Sequence, residues 1–377
     1  MLAQDPVLSR RSFFRFAAGA SALAAFPIVS EAHLAYAQRA HRSGDPNKGI
    51  HIDSNENPMG PCDAARQVIA DLIPKGGRYF FNMEEEVVNL FAQQEGLDPK
   101  YVRLYAGSSE PLAYTVLAFT SPTSPLVTAD PGYEAAEWSA ANAGAPVVKI
   151  RLADPAGAAP HDIRAMIAAS PSTGVIYICN PNNPTGTCTP RADIAYAIDH
   201  APKNTVILID EAYIHFCDQP RSLDYVKQGR NVIVLRTFSK IYGMAGLRMG
   251  FAIGRPDLLK KLDYFGRNML PASAMFATRA SLNDASLVPT RKALIASTRM
   301  DTISWLKQQG YASTPSESNC FMVDTRRPVK DVIAAMAAKD VYIGRPWPSC
   351  PTQARITVGL PEEMTAFRRA FSEVMAS

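Results

Sequence analysis

The chain has 377 residues, of which 47% are hydrophobic and 20% are charged, so its composition is that of an ordinary globular protein of two or three domains. Its formal net charge is only +4, and no long basic run with interleaved aromatic residues is present, which argues against nucleic acid as a partner. The six cysteines form no CxxC pair and no histidine–cysteine metal spacing, so we predict no metal and interpret the cysteines mainly as core residues, leaving open whether any of them pair.

Residues 1–37 are predicted to be a signal peptide. Two arginines precede a short aromatic run in "SRRSFFRF" (9–16), an apolar stretch follows at 17–29, and "AYA" (35–37) has the pattern of a cleavage site. The apolar stretch is too short to span a membrane, so no stable membrane anchor is expected. The arginine pair resembles a twin-arginine signal, which implies passage of an already folded protein through the twin-arginine export machinery to the periplasm or the medium. A general secretory signal is the alternative.

The pattern of apolar runs divides the rest of the chain into three predicted parts. Residues 38–75 are predicted to form an N-terminal arm and part of a small domain. Residues 76–270 alternate helical patterns with short apolar runs, which predicts a large α/β domain. Residues 271–377 begin with a long helical stretch and then mix helices and short strands, which favours a linker helix and a smaller α+β domain.

Three apolar runs in the middle section predict the buried strands of a parallel sheet. They are "GVIYIC" (174–179), "TVILI" (205–209) and "NVIVL" (231–235). Runs of this length without polar alternation are typical of strands covered on both faces. A helical pattern at 190–201 separates the first two, as expected of a strand–helix–strand unit.

Each of these runs is followed by polar residues: Asn183 after the first, Asp210 and Tyr213 after the second, and Lys240 after the third. Ligands of open parallel sheets lie beyond the carboxyl ends of the strands, so we expect these side chains to converge. A lysine can form an imine with an aldehyde cofactor, and a buried aspartate can hold the proton of a pyridinium nitrogen. An asparagine and a tyrosine can hydrogen-bond the phenolate oxygen of the same ring.

A phosphate site is predicted beside this group. The stretch "YAGSSEPLAYTVLAF" (105–119) has a Gly-Ser-Ser turn that opens a helix, and the free amides of a helix N-terminus bind phosphate well. Thr237 and Ser239 add hydroxyl groups, and Arg248 adds a guanidinium that can bind phosphate through two nitrogens. The chain has neither a GxGxxG nor a Walker loop in this role.

From about residue 50 to 375, the chain resembles a fold-type I pyridoxal-phosphate aminotransferase, and it is most similar to the histidinol-phosphate aminotransferase group. The resemblance rests on seven stretches in a fixed order: "SNENPMGP", "GSSE", "DPGYEAAE", "NPNNPTGT", "DEAYIHF", "TFSKIYGMAGLRMG" and "RITVG". It implies an aspartate aminotransferase-like α/β fold with a mostly parallel seven-stranded sheet in the large domain and a smaller α+β domain. It also implies pyridoxal 5′-phosphate as the cofactor.

The resemblance assigns a role to each matching residue. Lys240 is expected to be the catalytic lysine that forms the Schiff base, with Asp210 and Tyr213 as its catalytic partners. Tyr133 is expected to stack on the cofactor ring. The full expected cofactor-binding set is Gly107, Ser108, Ser109, Tyr133, Asn183, Asp210, Tyr213, Thr237, Ser239, Lys240, Arg248 and Tyr79.

The resemblance also implies a substrate site and a dimer. Arg355 is expected to bind the substrate carboxylate, with Asn55 beside it and with Arg345 binding either a substrate phosphate or a carboxylate. Tyr79 matches a family tyrosine that reaches the phosphate of the neighbouring subunit, so the sites are expected at a homodimer interface. Met59 stands where several relatives place an aromatic residue that helps bind histidinol phosphate.

The implied activity is transfer of an amino group between an amino acid, or a related amine, and a 2-oxo acid. An exported amino-acid oxidase, decarboxylase, lyase or racemase on the same fold is the alternative, because all begin from the same bond to the cofactor. A non-catalytic binding protein is disfavoured by the intact Lys240, Asp210 and Arg355. Export also separates the enzyme from histidine biosynthesis, which is cytosolic.

Overall fold

The structure is a computed structural model that describes residues 28–31, 33–34, 48–152, 154 and 159–376. The arginine pair and the cleavage pattern of the predicted signal peptide, together with residues 38–47 of the predicted arm, lie outside the described residues. Among the helices that the structure describes, none is both long enough and apolar enough to cross a bilayer.

Eleven strands occur in the described residues. In chain order they are β1 (Ile50–Ile52), β2 (Val102–Tyr105), β3 (Leu126–Asp130), β4 (Val147–Arg151), β5 (Val175–Cys179), β6 (Val206–Asp210), β7 (Val232–Thr237), β8 (Gly250–Gly254), β9 (Cys320–Asp324), β10 (Val341–Ile343) and β11 (Gln353–Thr357).

The helices in the described residues cover the sheet and link the two parts of the chain. In chain order they are α1 (Asp63–Leu72), α2 (Asn82–Glu95), α3 (Ser109–Phe119), α4 (Ala135–Asn142), α5 (Ile163–Ala168), α6 (Arg191–His200), α7 (Leu223–Lys227), α8 (Pro256–Leu262), α9 (Ala272–Asn283), α10 (Leu287–Gln308), α11 (Val329–Ala337) and α12 (Pro361–Ala376).

A seven-stranded sheet forms the centre of the molecule, in the order β2-β8-β7-β6-β5-β3-β4. The β8 strand is antiparallel to both of its neighbours, and the other four pairs are parallel. Every residue of β5, β6 and β7 is buried, as expected for apolar strands that helices cover on both faces. The predicted α/β fold with a mostly parallel seven-stranded sheet is confirmed.

The register of the central strands brings the predicted polar residues to one edge. Cys179 at the end of β5 pairs with Asp210 at the end of β6, and Asp210 pairs with Leu235 of β7. The segments that continue from these ends carry Asn183, Tyr213 and Lys240. These three segments therefore begin at the same edge of the sheet, where the carboxyl ends of the parallel strands lie.

Two small sheets lie outside the central one. The β1 strand pairs in parallel with β10, and β9 pairs with β11 in antiparallel orientation. The first pairing joins residues 50–52 to the C-terminal part of the chain, and β11 carries Arg355. The predicted domain boundary at residue 270 falls between α8 and α9, and the boundaries themselves stay a prediction.

Candidate active site

Lys240 follows β7 at the carboxyl edge of the sheet, and its side chain is buried. Its Nζ lies 5.6 Å from the centroid of the Tyr213 ring and donates a hydrogen bond of 3.4 Å to the carbonyl oxygen of Ser54. Burial lowers the pKa of Lys240, while the negative charge of Glu31 acts in the opposite direction. A buried amine with a depressed pKa is a better nucleophile and base at neutral pH than a solvated lysine.

Asp210, the last residue of β6, is held by two hydrogen bonds. The Tyr177 hydroxyl donates to its Oδ2 at 2.9 Å, and the backbone amide of Ala212 donates to its Oδ1 at 3.1 Å. Burial raises the pKa of Asp210 to about 6, although both hydrogen bonds and the charge of Lys240 oppose the rise. A nearby cation, such as a protonated pyridine nitrogen, strongly stabilises the ionised form of a buried carboxylate.

Tyr213 and Asn183 are joined to residues from other parts of the chain. Asn55 Nδ2 donates to the Tyr213 hydroxyl at 3.0 Å, and Arg355 Nη1 donates to Asn183 Oδ1 at 2.8 Å. Burial raises the pKa of Tyr213 well above its usual value, so the side chain stays a neutral phenol that can donate a hydrogen bond. These contacts place the expected ring-oxygen ligands beside the expected substrate residues.

The expected phosphate ligands form one connected group. Arg248 Nη1 donates to Ser239 Oγ at 3.3 Å and to the carbonyl oxygen of Ala245 at 2.9 Å, and Nη2 donates to the carbonyl oxygen of Ala106 at 3.3 Å. Thr237 Oγ1 donates to Ser239 Oγ at 3.0 Å. A guanidinium and two hydroxyl groups therefore converge without a carboxylate among these contacts, which suits a phosphate dianion.

The turn before α3 completes this group. Gly107 has a φ of +88°, and a Cβ atom at this position would lie 2.1 Å from Arg248 Nη2. Glycine is therefore required both by the backbone conformation and by the close approach of the guanidinium. Ser108 stands at the N-cap of α3 and Ser109 is its first residue, so the free amides of the helix N-terminus are available at this point.

A cavity of about 230 Å³ lies between these groups. Its lining includes Ser108, Ser109, Tyr133, Asn183, Asp210, Tyr213, Thr237, Ser239, Lys240 and Arg248, and also Ser30, Glu31, Ser54, Glu56 and Cys179. The lining has a cationic hydroxyl-rich end, a buried carboxylate and a buried amine. This set of donors fits pyridoxal phosphate, which has a phosphate, a ring nitrogen and an aldehyde.

Two arginines lie together at the substrate side of this cavity. Arg355 Nη2 and Arg345 Nη1 both donate to Glu31 Oε1, at 2.8 and 2.7 Å. Arg345 also pairs with Glu134, at 2.6 Å between Nη2 and Oε2. The Trp347 ring lies under both guanidiniums, with its centroid 4.5 Å from the Arg345 Cζ and 5.1 Å from the Arg355 Cζ. The arrangement binds a carboxylate between two positive groups on an aromatic platform.

The structure brings the expected site residues together, with one exception. Tyr79 is 65% exposed, stacks on Phe81 and lies apart from the cavity lining of its own chain, so its role at a partner's site stays a prediction. The sequence reasoning missed Tyr177, Glu134 and Glu31. Tyr177 lies inside an apolar run, Glu134 lies in the stretch "DPGYEAAE" but was given no role there, and Glu31 lies in the predicted signal peptide.

Comparison with known proteins places this geometry in a family. The family model for aminotransferases of class I and II matches residues 47–371. A histidinol-phosphate aminotransferase of Moorella thermoacetica is 32% identical over 344 residues, which are 87% of this chain and 86% of that protein. An aromatic amino acid aminotransferase of Thermobifida fusca is 31% identical over 332 residues, which are 86% of this chain and 90% of that protein.

A solved structure agrees with these matches at the level of the fold. The histidinol-phosphate aminotransferase of Sinorhizobium meliloti in complex with pyridoxal-5′-phosphate superposes with a TM-score of 0.80 at 23% identity, covering 94% of this chain and 96% of that one. The family match extends over most of the chain and includes all the residues of the cavity that the resemblance had assigned. The chain therefore belongs to the class I and II aminotransferases.

Proposed function

We propose that this pyridoxal-phosphate-dependent aminotransferase takes the amino group from an amino acid and binds the substrate through a single carboxylate rather than a phosphate. The observation that carries this proposal is the pairing of Arg345 with Glu134 beside Arg355. Once Glu31, which lies in the predicted signal peptide, is removed, two guanidiniums and one carboxylate leave one net positive charge for the substrate. A carboxylate would neutralise that charge, whereas a phosphate dianion would leave excess negative charge in a buried site beside Glu134.

The names of the relatives frame the choice. Some are named histidinol-phosphate aminotransferase and others aromatic amino acid aminotransferase. The charge balance at Arg345 favours a substrate of the second kind, which carries a carboxylate where histidinol phosphate carries none. Met59, in place of an aromatic residue that helps bind histidinol phosphate in several relatives, points in the same direction.

The cofactor, when bound, supplies an aldehyde that takes up the amino group and a protonated ring that stabilises negative charge developing at the substrate α-carbon. Asp210 would hold the proton on the ring nitrogen. Lys240 would hold the cofactor through its aldehyde and, once the substrate amine has displaced it, would move the substrate α-proton as general base and acid. Tyr213 would hold the ring oxygen by a hydrogen bond, and Arg355 would hold the substrate carboxylate and so orient the substrate toward Lys240.

Export and dimerisation belong to the same proposal. The arginine pair and "AYA" pattern of residues 1–37 support export by the twin-arginine route, which carries a protein that has folded and loaded its cofactor in the cytosol. Tyr79 and Phe81 are exposed, which supports a homodimer in which the surface around these two residues contacts the partner's phosphate site. An exported enzyme would act on amino acids outside the cytosol.

The test is a spectral titration of the holoenzyme with single amino acids and with histidinol phosphate, under air and under nitrogen. We expect amino acids, and not histidinol phosphate, to convert the lysine-bound cofactor band to the amine form without oxygen, and a 2-oxo acid to restore it. Turnover that depends on oxygen would replace this proposal with an oxidase. Conversion by histidinol phosphate alone would overturn the carboxylate assignment. The Lys240→Ala variant is the control, because it cannot form the lysine-bound cofactor and should lack its absorbance band.

A further inference from the structure

Three side chains outside the cofactor cavity form a cluster with metal-ligating chemistry. The Sγ atoms of Cys188 and Cys217 and a carboxylate oxygen of Glu317 all lie within 4.8 Å of one another. Cys217 is buried, whereas Cys188 and Glu317 are partly exposed, so the cluster is open to solvent on one side. The backbone amide of Glu317 donates to the carbonyl oxygen of Gly186 at 2.9 Å, which fixes two of the three segments against each other.

Two basic side chains hold the backbone beside the cluster. Arg299 is buried and donates to the carbonyl oxygen of Ser318 at 2.7 Å, next to Glu317. Lys292 Nζ donates to the carbonyl oxygen of Cys217 at 2.9 Å. Two cysteine sulfur atoms and a carboxylate oxygen are a set of donors that suits a cation of intermediate softness.

We propose that Cys188, Cys217 and Glu317 bind one Zn²⁺ ion, with the fourth position open to water. Tetrahedral zinc with sulfur ligands at about 2.3 Å and oxygen ligands at about 2.0–2.2 Å requires its ligands to lie roughly 3.5–3.8 Å apart. The separations in the structure are at most 4.8 Å, so small rotations of three side chains close the site.

The ion would act on the amino-transfer site through the backbone. The three ligands belong to the segments that carry Asn183, Tyr213 and Asn319, and these segments line or support the cofactor cavity. A metal bound at the outer side would hold the segments at fixed spacing. The inference goes beyond amino transfer, because it assigns a second ligand to the chain.

Cobalt substitution tests the site directly. The full chain, stripped with a chelator under reducing conditions, is titrated with Co²⁺ and then with Zn²⁺. We expect one ion per chain, visible d–d bands of tetrahedral cobalt with a thiolate charge-transfer band, and displacement by Zn²⁺. Cys188→Ser and Glu317→Gln should each weaken binding about tenfold or more. Cys62→Ser, which changes a buried thiol elsewhere in the chain, should leave the binding unchanged.

Three results would overturn the proposal. They are absence of the cobalt bands in the folded wild type, equal cobalt affinity in the Cys188→Ser and wild-type chains, and a Cys188–Cys217 disulfide that persists until reductant is added. Counting reactive thiols in the folded wild type, with and without Zn²⁺, gives a second measurement that needs no variant. Protection of two thiols by Zn²⁺ is expected, and unchanged reactivity would contradict the site.

A different observation concerns the predicted signal peptide itself. Besides its contacts with Arg345 and Arg355, Glu31 accepts a hydrogen bond of 3.4 Å from Asn183 Nδ2 at its Oε2. Burial alone would raise the pKa of Glu31, but the two guanidiniums and Lys240 hold it well below its usual range, so the group is a carboxylate at neutral pH. A carboxylate from the chain itself therefore occupies the position between the two arginines.

We infer that the N-terminal segment inhibits the uncleaved chain by placing Glu31 where the substrate carboxylate binds. This inference rests on the proposed carboxylate substrate. A tethered competitor acts at an effective concentration on the order of millimolar, which is enough to compete with a free amino acid. Cleavage after Ala37 would remove Glu31 and open the site, so the enzyme would bind its substrate more weakly before export than after it.

The test compares the full chain, its Glu31→Gln variant and residues 38–377, which retain the whole stretch that the family model matches. Competition predicts a KM for the amino acid about tenfold higher in the full chain, with kcat unchanged. Glu31→Gln should lower the KM most of the way to that of residues 38–377, and His33→Asn, an exposed change in the same segment, should not. Equal KM values in the three proteins would overturn the inference.

Calorimetry separates this inference from the proposed function. A synthetic peptide of residues 28–37 should bind to residues 38–377, and the Glu31→Gln peptide should bind more weakly. Binding without any amino-acid turnover would refute the substrate proposal and leave the occlusion standing. No difference between the two peptides would refute the role of Glu31 even if the enzyme is active.

Discussion

Tyr177 and Asp210 lie on adjacent parallel strands, and the Tyr177 hydroxyl donates a 2.9 Å hydrogen bond to Asp210 Oδ2. Tyr177 pairs in register with Leu208, two residues before Asp210, so the two side chains point to the same face of the sheet. The hydrogen bond stabilises the ionised carboxylate and limits the rise of its pKa that burial causes. Tyr177 is thus a positioning residue for the group that holds the ring proton.

The Tyr177→Phe change should weaken cofactor binding and shift its pH dependence. Asp210 has a pKa of about 6 without cofactor, so affinity for the protonated ring should rise as the pH increases through that value. Loss of a hydrogen bond to the charged form raises the pKa of Asp210 further, so the midpoint of the rise in affinity should move to higher pH. The measurement is the dissociation constant of pyridoxal phosphate from the apoenzyme between about pH 5 and pH 8.

Asp210→Asn is the control for this pH series, because an amide has no charge to gain. Its cofactor affinity should be low and nearly independent of pH over the same range. A midpoint that stays in place in Tyr177→Phe would show that the hydrogen bond does not influence the titration of Asp210. A flat profile in the wild type would contradict the role of Asp210 itself.

Much of the site could be predicted because its residues follow the ends of buried strands. Asn183, Asp210 and Lys240 each come soon after an apolar run, and the topology of a parallel sheet requires that such ends share an edge. Tyr177 could not be found in this way, because its role depends on the register between β5 and β6. The connection between parallel strands is too long for the sequence to fix that register.

Contacts between distant segments could not be predicted from the sequence either. Glu134 pairs with Arg345 across 211 positions of the chain, and Glu31 reaches Arg355 across 324. Cys188 and Cys217 meet Glu317 from three separate segments, so no spacing motif could reveal them. Such pairs depend on how the C-terminal part of the chain packs on the sheet, which local patterns do not encode.

The Arg355→Lys change should raise the KM for the amino acid about 10- to 100-fold, since lysine cannot replace a guanidinium that bonds two partners in one plane. Arg355 donates to Asn183 through Nη1 and faces the anion site through Nη2. Its loss would therefore also release Asn183 from its position. Steady-state kinetics with a fixed 2-oxo acid gives the KM.

Arg255→Lys is the matched control for Arg355→Lys, because Arg255 pairs with Asp257 near the surface, away from the cavity. It should change the KM by less than about twofold. The assignment of Arg355 would fail if Arg355→Lys retained the wild-type KM while the spectrum showed normal cofactor loading.

The Trp347→Leu change should weaken substrate binding without removing any charge. The ring of Trp347 lies under both Arg345 and Arg355, and its Nε1 donates to the carbonyl oxygen of Gly132 at 3.0 Å. A buried cation–π contact contributes about 1–2 kcal/mol, so the KM should rise about 5- to 30-fold, with a smaller rise for Trp347→Phe. Trp138→Leu changes an exposed ring and should leave the KM unaltered. Equal effects of the Leu and Phe variants would argue against the aromatic platform.

The Gly107→Ala change should reduce cofactor affinity more than it reduces the stability of the fold. A Cβ atom at this position would lie 2.1 Å from Arg248 Nη2, so the guanidinium would have to move away from the other expected phosphate ligands. The positive φ of +88° adds backbone strain of about 1–3 kcal/mol. We expect the dissociation constant of pyridoxal phosphate to rise at least about tenfold, because a charge-assisted hydrogen bond to a phosphate contributes about 1.5–3 kcal/mol.

Gly229→Ala also has a positive φ but nothing within 4 Å of the added atom, so it separates backbone strain from displacement of the arginine. If both variants lost cofactor affinity equally, the close approach of Arg248 to Gly107 would have no part in holding the phosphate.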